Sequence, residues 1–346
     1  MPDTPYSRRP TLKDLAHEAG VSLASASYAV NGNGSVGEQT RAHILEVAQR
    51  IGYRQNIAAR AMKTGRTGVL ALLVPDLANP FFPVLAQAVF RAARGAGYTT
   101  FLIDTEGNEA LEQVALARAV DLGVDGIAWF PIRDKDTSHG VLARTPVVVL
   151  DRTVPGYATV GIDYHDAGRI AARHLLDAGH RRIGIISGPT DIASMRDRCD
   201  SAEALIRAEG TLAFRVEHAF STDLEPSARA MISGGGATAL FAAADVIAIG
   251  ALRYAQGIGL RVPSDISILG FDDIPLAEQS QPPLSTIELP VEEIARQAIA
   301  ELMSQIAESR SAGSLRLVRT QLAPRLSTQR LTDRSATDPS CSSTPI

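Results

Sequence analysis

Cysteine is nearly missing: Cys199 and Cys341 are the only two in 346 residues, far apart and the second in a polar tail. Such spacing excludes a disulfide framework and a clustered zinc site, and the two read as free thiols. Aromatic residues make up 5% of the chain, with a single tryptophan, Trp129. No apolar run approaches the roughly 20 residues that span a bilayer. The longest, such as 69–74, read as buried strands, so no membrane partner is expected. Residues 1–10 are polar and proline-rich, without an apolar stretch before a small-residue cleavage site. That predicts no export signal and a cytoplasmic location.

Catalytic signatures are lacking too. The seven histidines form no H-E-x-x-H pattern, and no G-x-S-x-G nucleophile turn occurs. Gly32-Asn-Gly34-Ser-Val-Gly37 satisfies G-x-G-x-x-G, but no apolar strand precedes it, so it reads as a loop. Ser233-Gly-Gly-Gly236 lacks the lysine of a phosphate loop and reads as a helix end. Asp163, His165 and Asp166 suit a helix cap better than a metal site. No enzyme, metal or cofactor is expected.

What is present is an ordinary globular composition, 45% hydrophobic and 21% charged, with the charge unevenly placed. Net charge is −4, yet residues 1–66 hold nine Lys/Arg against five acids, which leaves −8 on the remainder. A basic head on an acidic body suits phosphate contact by the head alone.

Three short helices fit that head. Thr11 with Asp14 makes a capping-box-like start for a helix through Ala19, with Leu12, Leu15 and Ala16 on one face. Gly20 stops it, and Ser22 is placed to cap a second helix over 23–30. A gap of about three residues is helix-turn-helix spacing. Ala16, Gly20, Val21 and Ala26 allow close approach, which leaves Leu23, Ala24, Ser27 and Tyr28 outward, a face that fits a major groove. A third helix is expected over 38–51. Next comes Asn56-Ile-Ala-Ala-Arg-Ala-Met-Lys63, too short to be stable alone, since isolated helices need about 12–15 residues. It reads as a conditional hinge.

From Val69 the pattern changes to short apolar strands (69–74, 99–103, 126–130, 147–150, 183–187, 239–241, 266–271) alternating with amphipathic helices (82–96, 110–122, 166–178, 195–209). This predicts α/β architecture with parallel sheets. Ligands of such sheets bind at carboxyl ends of strands, which here present Asp76, Asp104, Trp129, Asp151, Ser187 and Asp272. The expected organisation is a helix-turn-helix domain over 1–55, a hinge helix and linker over 56–66, a two-lobed body over 67–330 and a disordered tail over 331–346.

Six ordered motifs resemble the lactose-repressor/galactose-repressor (LacI/GalR) family of transcriptional regulators. They are Thr11-Leu-Lys-Asp-Leu-Ala-His-Glu-Ala-Gly-Val-Ser22, Gly52-Tyr53 with Asn56 and Ala59-Arg60, Pro75-Asp-Leu-Ala-Asn-Pro-Phe-Phe82, Leu150-Asp-Arg152, Gly179-His-Arg-Arg-Ile-Gly184, and Val262-Pro-Ser-Asp-Ile-Ser-Ile-Leu-Gly-Phe-Asp-Asp273. The resemblance implies a ligand-responsive repressor of sugar or related metabolic genes, bound as a homodimer to a palindromic double-stranded operator. It assigns DNA contact to Thr11, Ser22, Leu23, Ala24, Ser25, Ser27, Tyr28, Asn31, Asn56, Ala59, Arg60, Met62 and Lys63, with Met62 wedged into the central minor groove. Tyr28 stands where arginine is frequent, so the base read there should differ.

The body resembles periplasmic sugar-binding proteins, with a small-molecule effector, a sugar or sugar derivative, between two α/β lobes. Asn79, Phe81, Trp129, Asp151, Arg198, Asp245 and Asp272 are the implied contacts, with Arg196 as an alternative to Arg198. Ala244 just before Asp245, and Ser201 three residues after Arg198, depart from the family pattern. The body alone also suits a solute-binding protein for transport. The basic head and the missing export signal favour the regulator.

Overall fold

A computed structural model describes residues 10–31, 34–54, 65–308 and 313–331. The chain divides into two compact units after Thr67. The hinge residues Asn56, Ala59, Arg60, Met62 and Lys63, and the tail beyond Leu331, lie outside the described residues.

The smaller unit holds α1 (Leu12–Glu18), α2 (Leu23–Asn31) and α3 (Glu38–Arg50). The Thr11 hydroxyl accepts the Asp14 N–H at 3.3 Å, while the Asp14 carboxylate accepts the Thr11 N–H at 2.7 Å, a reciprocal cap. Gly20, at φ +62°, turns the chain after α1. The Ser22 hydroxyl then accepts the Ser25 N–H at 3.0 Å to start α2. Leu15, Ala16, Ala26, Ala29, Ile44 and Val47 form the small core. Alanines at the α1–α2 contact allow the tight packing that the short connection requires.

The larger unit begins with β1 (Val69–Val74), α4 (Phe81–Gly95), β2 (Thr99–Asp104), α5 (Glu109–Asp121), β3 (Gly126–Trp129), β4 (Val147–Leu150) and β5 (Ala158–Ile162). The chain then enters a second lobe through α6 (Tyr164–Asp177), β6 (Arg182–Ser187), α7 (Ala193–Glu209), β7 (Thr211–Glu217), α8 (Pro226–Ser233) and β8 (Ala239–Ala242). That lobe continues through α9 (Asp245–Gly257), β9 (Ser267–Asp272), α10 (Pro275–Gln279) and β10 (Ser285–Glu288). Helix α11 (Val291–Glu308) and strand β11 (Leu315–Val318) return to the first lobe, and β12 (Gln321–Ala323) to the second.

Strand order is β11-β5-β4-β3-β1-β2 in the first sheet and β12-β10-β9-β8-β6-β7 in the second. Every pairing is parallel except β10 with β12. Central strands such as Val-Leu-Ala-Leu-Leu-Val are buried on both faces, which is why they read as unbroken apolar runs. Three chain crossings join the lobes, between β5 and α6, β10 and α11, and β11 and β12. No helix among the described residues is long and apolar enough to cross a membrane.

Helices α6 and α7 meet at Gly168, where an added Cβ would lie 2.1 Å from the Arg198 carbonyl oxygen and 2.3 Å from Ser201 Oγ. Ser201 also donates to that carbonyl at 3.3 Å, so its hydroxyl has a structural place at the contact. An alanine at 168 gains about 1 kcal/mol of helix propensity, but forcing backbone apart in a packed core costs roughly 1–3 kcal/mol. Gly168→Ala should therefore lower the denaturant midpoint of the body; a midpoint at or above the parent's would contradict this packing account.

Candidate functional site

In the head, α2 presents Leu23 and Tyr28, 46% and 43% exposed, beside Ala24. Both are large apolar groups left open on the helix rather than packed into the small core. The Tyr28 ring lies against Gly34, where a Cβ would approach the ring to 2.6 Å and where φ is +79°. Glycine there lets the loop support the ring. Ser27 is half-buried, and the Asn31 amide turns back to donate to the Ser27 carbonyl at 2.6 Å. Ser22 and Ser25 share a hydroxyl–hydroxyl bond of 2.9 Å, and Thr11 caps α1. The structure thus brings Leu23, Ala24 and Tyr28 to one open surface and gives the four capping or back-bonded side chains local partners.

In the body, a cavity of about 270 Å³ opens between the lobes at the carboxyl ends of both sheets. Asn79, Phe81, Asp151, Arg198 and Asp272 line it as expected. Asp151 follows β4, and Asp272 ends β9. Their φ values, +70° and +114°, are unusual for non-glycine residues. Such strain persists only where surroundings hold it, and it clusters at ligand sites.

Arg198 is the most constrained group. Its Nε donates to the Ser194 carbonyl at 3.1 Å, and Nη1 donates to the Ala243 carbonyl at 2.9 Å. Its guanidinium carbon lies 3.9 Å from the Phe271 ring centroid and 4.3 Å from that of Tyr164, a cation–π corner. Asp272 Oδ1 sits 3.8 Å from Nη1, an ion pair rather than a hydrogen bond. The Tyr164 hydroxyl donates to Asp151. Burial pushes Asp272 up to about 7 against the opposing pull of Arg198, and it also raises Asp151. The cluster is a fixed array of paired donors and acceptors, suited to a ligand rich in hydroxyl groups.

The opposite wall is aromatic. Phe81, Phe82 and Phe130 pack edge to face, with centroids 5.0 to 6.3 Å apart. Asn79 Oδ1 accepts the Phe81 N–H at 3.1 Å, so Asn79 also sets the start of α4. Arg152 lies 5.1 Å from the Phe130 centroid and donates to the Pro131 and Ile132 carbonyls, and burial lowers its pKa.

Two expected contacts are corrected. Trp129 does not form a wall of the cavity: it is fully buried on the other face of the first sheet, with Leu73, Val147 and Val149. Strand alternation sends its neighbour Phe130 to the cleft instead. Asp245 does not reach the cavity either; its carboxylate accepts Thr286 Oγ1 at 2.6 Å and the Ile274 N–H at 2.9 Å. Fully buried in the first turn of α9, it is a strut beneath β9 and β10. Arg196 is exposed and donates to the Thr190 carbonyl, which leaves Arg198 as the inward arginine. Sequence reasoning missed Tyr164, Phe130 and Arg152 as lining groups; Arg152 stood within a quoted motif, and alternation along β3 pointed to Phe130.

Residues 11–56 match the family model described as bacterial regulatory proteins, lacI family, and residues 172–328 match a periplasmic binding protein-like domain. An uncharacterised HTH-type transcriptional regulator in the aml 5′ region of Streptomyces limosus is 34% identical, over 86% of this chain and 88% of that protein. A ribose operon repressor of Halalkalibacterium halodurans is 31% identical, over 86% of this chain and 90% of its own. Among solved structures, a complex of the transcriptional regulator CelR with cellobiose is similar at a TM-score of 0.66 and 28% identity, covering 92% of this chain and all of the other.

The raised Asp272 pKa has a definite consequence for stability. The folded chain holds that proton up to about pH 7, whereas an unfolded aspartate releases it near pH 3.9. Between these limits the folded state binds more protons, so this group's contribution to stability falls as pH rises. Asp272→Asn removes the slope. Denaturant titrations should show the variant gaining on the parent from about pH 4 to about pH 7 and then levelling; a difference that stays constant with pH would contradict the assignment.

Proposed function

This chain belongs to the lacI family of bacterial regulatory proteins and is a DNA-binding transcriptional regulator, and from that premise we propose that it is a cytoplasmic, sugar-responsive repressor. It acts as a homodimer on a palindromic operator. The observation that carries the effector part is the charged array of Asp151, Tyr164, Arg198 and Asp272 at the base of an interlobe cavity faced by phenylalanines. Hydroxyl groups of a sugar pair with the charged array, and its apolar ring face packs on the aromatics. The ribose repressor and the cellobiose-bound regulator, by their names, support a carbohydrate.

Leu23, Ala24 and Tyr28 read base edges, Met62 unstacks a step in the central minor groove, and Asn56, Ala59, Arg60 and Lys63 add DNA contacts. Sugar shifts the balance between lobe arrangements that differ in affinity for operator. The differential affinity for the two arrangements, and not tight binding as such, sets the size of the response.

The test is selection of bound duplexes from a random pool, followed by titration of the selected duplex with and without a panel of monosaccharides and disaccharides. Enrichment of two inverted half-sites is expected, together with a sugar-dependent change in affinity. Met62→Ala should weaken the operator complex far more than it alters sugar binding, and Arg198→Ala should retain DNA binding while losing the sugar response. No enriched duplex, or a full sugar response in Arg198→Ala, would overturn the reading.

A further inference from the structure

The loop between β3 and β4 belongs to the first lobe, yet it reaches the second at the mouth of the cavity. Asp134 Oδ2 accepts the Ala193 N–H at 2.7 Å. Ala193 is the first residue of α7, the helix that carries Arg198. Ile192, the residue before it, has no side-chain cap to offer, so a carboxylate from the opposite lobe supplies what the helix lacks. Arg133 of the same loop pairs with Asp191, just upstream of α7.

The loop is itself anchored from within its own lobe. Glu112, fully buried on α5, accepts the Trp129 Nε1–H at 3.1 Å, the Ile132 N–H at 2.8 Å and the Thr137 hydroxyl at 2.6 Å. These bonds grip the segment on both sides of Asp134. A buried, fully engaged carboxylate is a rigid support, whereas an exposed loop alone would not hold a charge in register across a cleft.

We propose that Asp134 is a positioning residue of the cleft, a latch that fastens the Arg198 helix to the first lobe and holds the lobes together before any ligand arrives. Ligand-free protein is then already weighted toward the closed arrangement, and a bound effector has less ordering to supply. This consequence rests on the cleft being the effector site. The latch itself is tested without effector or DNA, so the two ideas fail separately.

The experiment uses full-length protein with spin labels at Arg144→Cys in the first lobe and Ser227→Cys in the second, both exposed. The background is Cys341→Ser, and Cys199 is buried with its thiol pushed up to about 12, hence inert. Electron–electron distance distributions are compared for the parent, Asp134→Ala, Asp134→Asn and Ala193→Pro. Proline suits the first turn of a helix, and Ile192 already has the extended backbone that a following proline requires, at φ −101° and ψ 125°. Ala193→Pro therefore removes the donor and leaves α7 intact.

Asp134→Ala and Ala193→Pro should both move the distribution to longer distances, while Asp134→Asn, whose amide oxygen still accepts, keeps the parent's. The sole tryptophan, Trp129, should stay shielded from acrylamide in all four proteins, because the Glu112 anchor is untouched. Unchanged distances in Asp134→Ala and Ala193→Pro overturn the latch. So does an opening in Asp134→Ala that Ala193→Pro fails to reproduce, or one accompanied by exposure of Trp129, which marks collapse of the loop.

Discussion

A guanidinium withdrawn from water at the floor of a cleft constrains everything around it. Removing an ion of this size from solvent carries an effective penalty of several kcal/mol, so Arg198 persists there only because its surroundings replace water. Two backbone carbonyls take its N–H groups, two aromatic faces lie over its plane, and the Asp272 carboxylate offsets its charge at 3.8 Å. The partners come from four places in the lobe: Ser194 from the start of α7, Ala243 just after β8, Phe271 and Asp272 from β9, Tyr164 from the start of α6. The close α6–α7 packing at Gly168, and the strut that Asp245 provides under β9, keep those elements in register.

The same arrangement ties the two lobes to each other. Asp151 and Tyr164 join across the lobe boundary, with Asp151 after β4 of the first sheet and Tyr164 opening the first helix of the second lobe. Under the proposed function, a ligand that completes this polar array would gain most with the lobes closed, so its binding energy would appear as a preference for one arrangement. The DNA-reading unit needs little core of its own. Eight buried apolar residues, five of them alanine, are enough to present Leu23 and Tyr28 outward.

Much of this was legible in the residues. The reciprocal Thr11–Asp14 cap, the Gly20 turn, the Ser22 start and the central parallel strands follow from local rules of capping, glycine conformation and apolar runs. Strands β5, β7, β10, β11 and β12 were not: β7, β11 and β12 are each at least partly exposed at a sheet edge, while β5 (Ala-Thr-Val-Gly-Ile) and β10 (Ser-Thr-Ile-Glu) lie inside their sheets but are interrupted by polar residues and lack the unbroken apolar pattern. The return of α11 and β11 to the first lobe is a matter of long-range topology that no local window contains. At the site, strand ends located Asp151 and Asp272, but the register of alternation decided between Trp129 and Phe130, and burial rather than residue type decided the role of Asp245.

In the cleft floor, Arg198 and Asp272 attract one another across 3.8 Å. A double-mutant cycle of Arg198→Met, Asp272→Asn and the pair, unfolded by denaturant at about pH 8 where the carboxylate is charged, tests it directly. Arg198→Met should cost on the order of 3 kcal/mol, since it leaves a buried carboxylate uncompensated; Asp272→Asn should cost far less, because the burial penalty of the carboxylate goes with it; and the double should cost less than the sum of the two by more than about 1 kcal/mol. Strict additivity would show that the two groups do not sense each other, and would contradict the account.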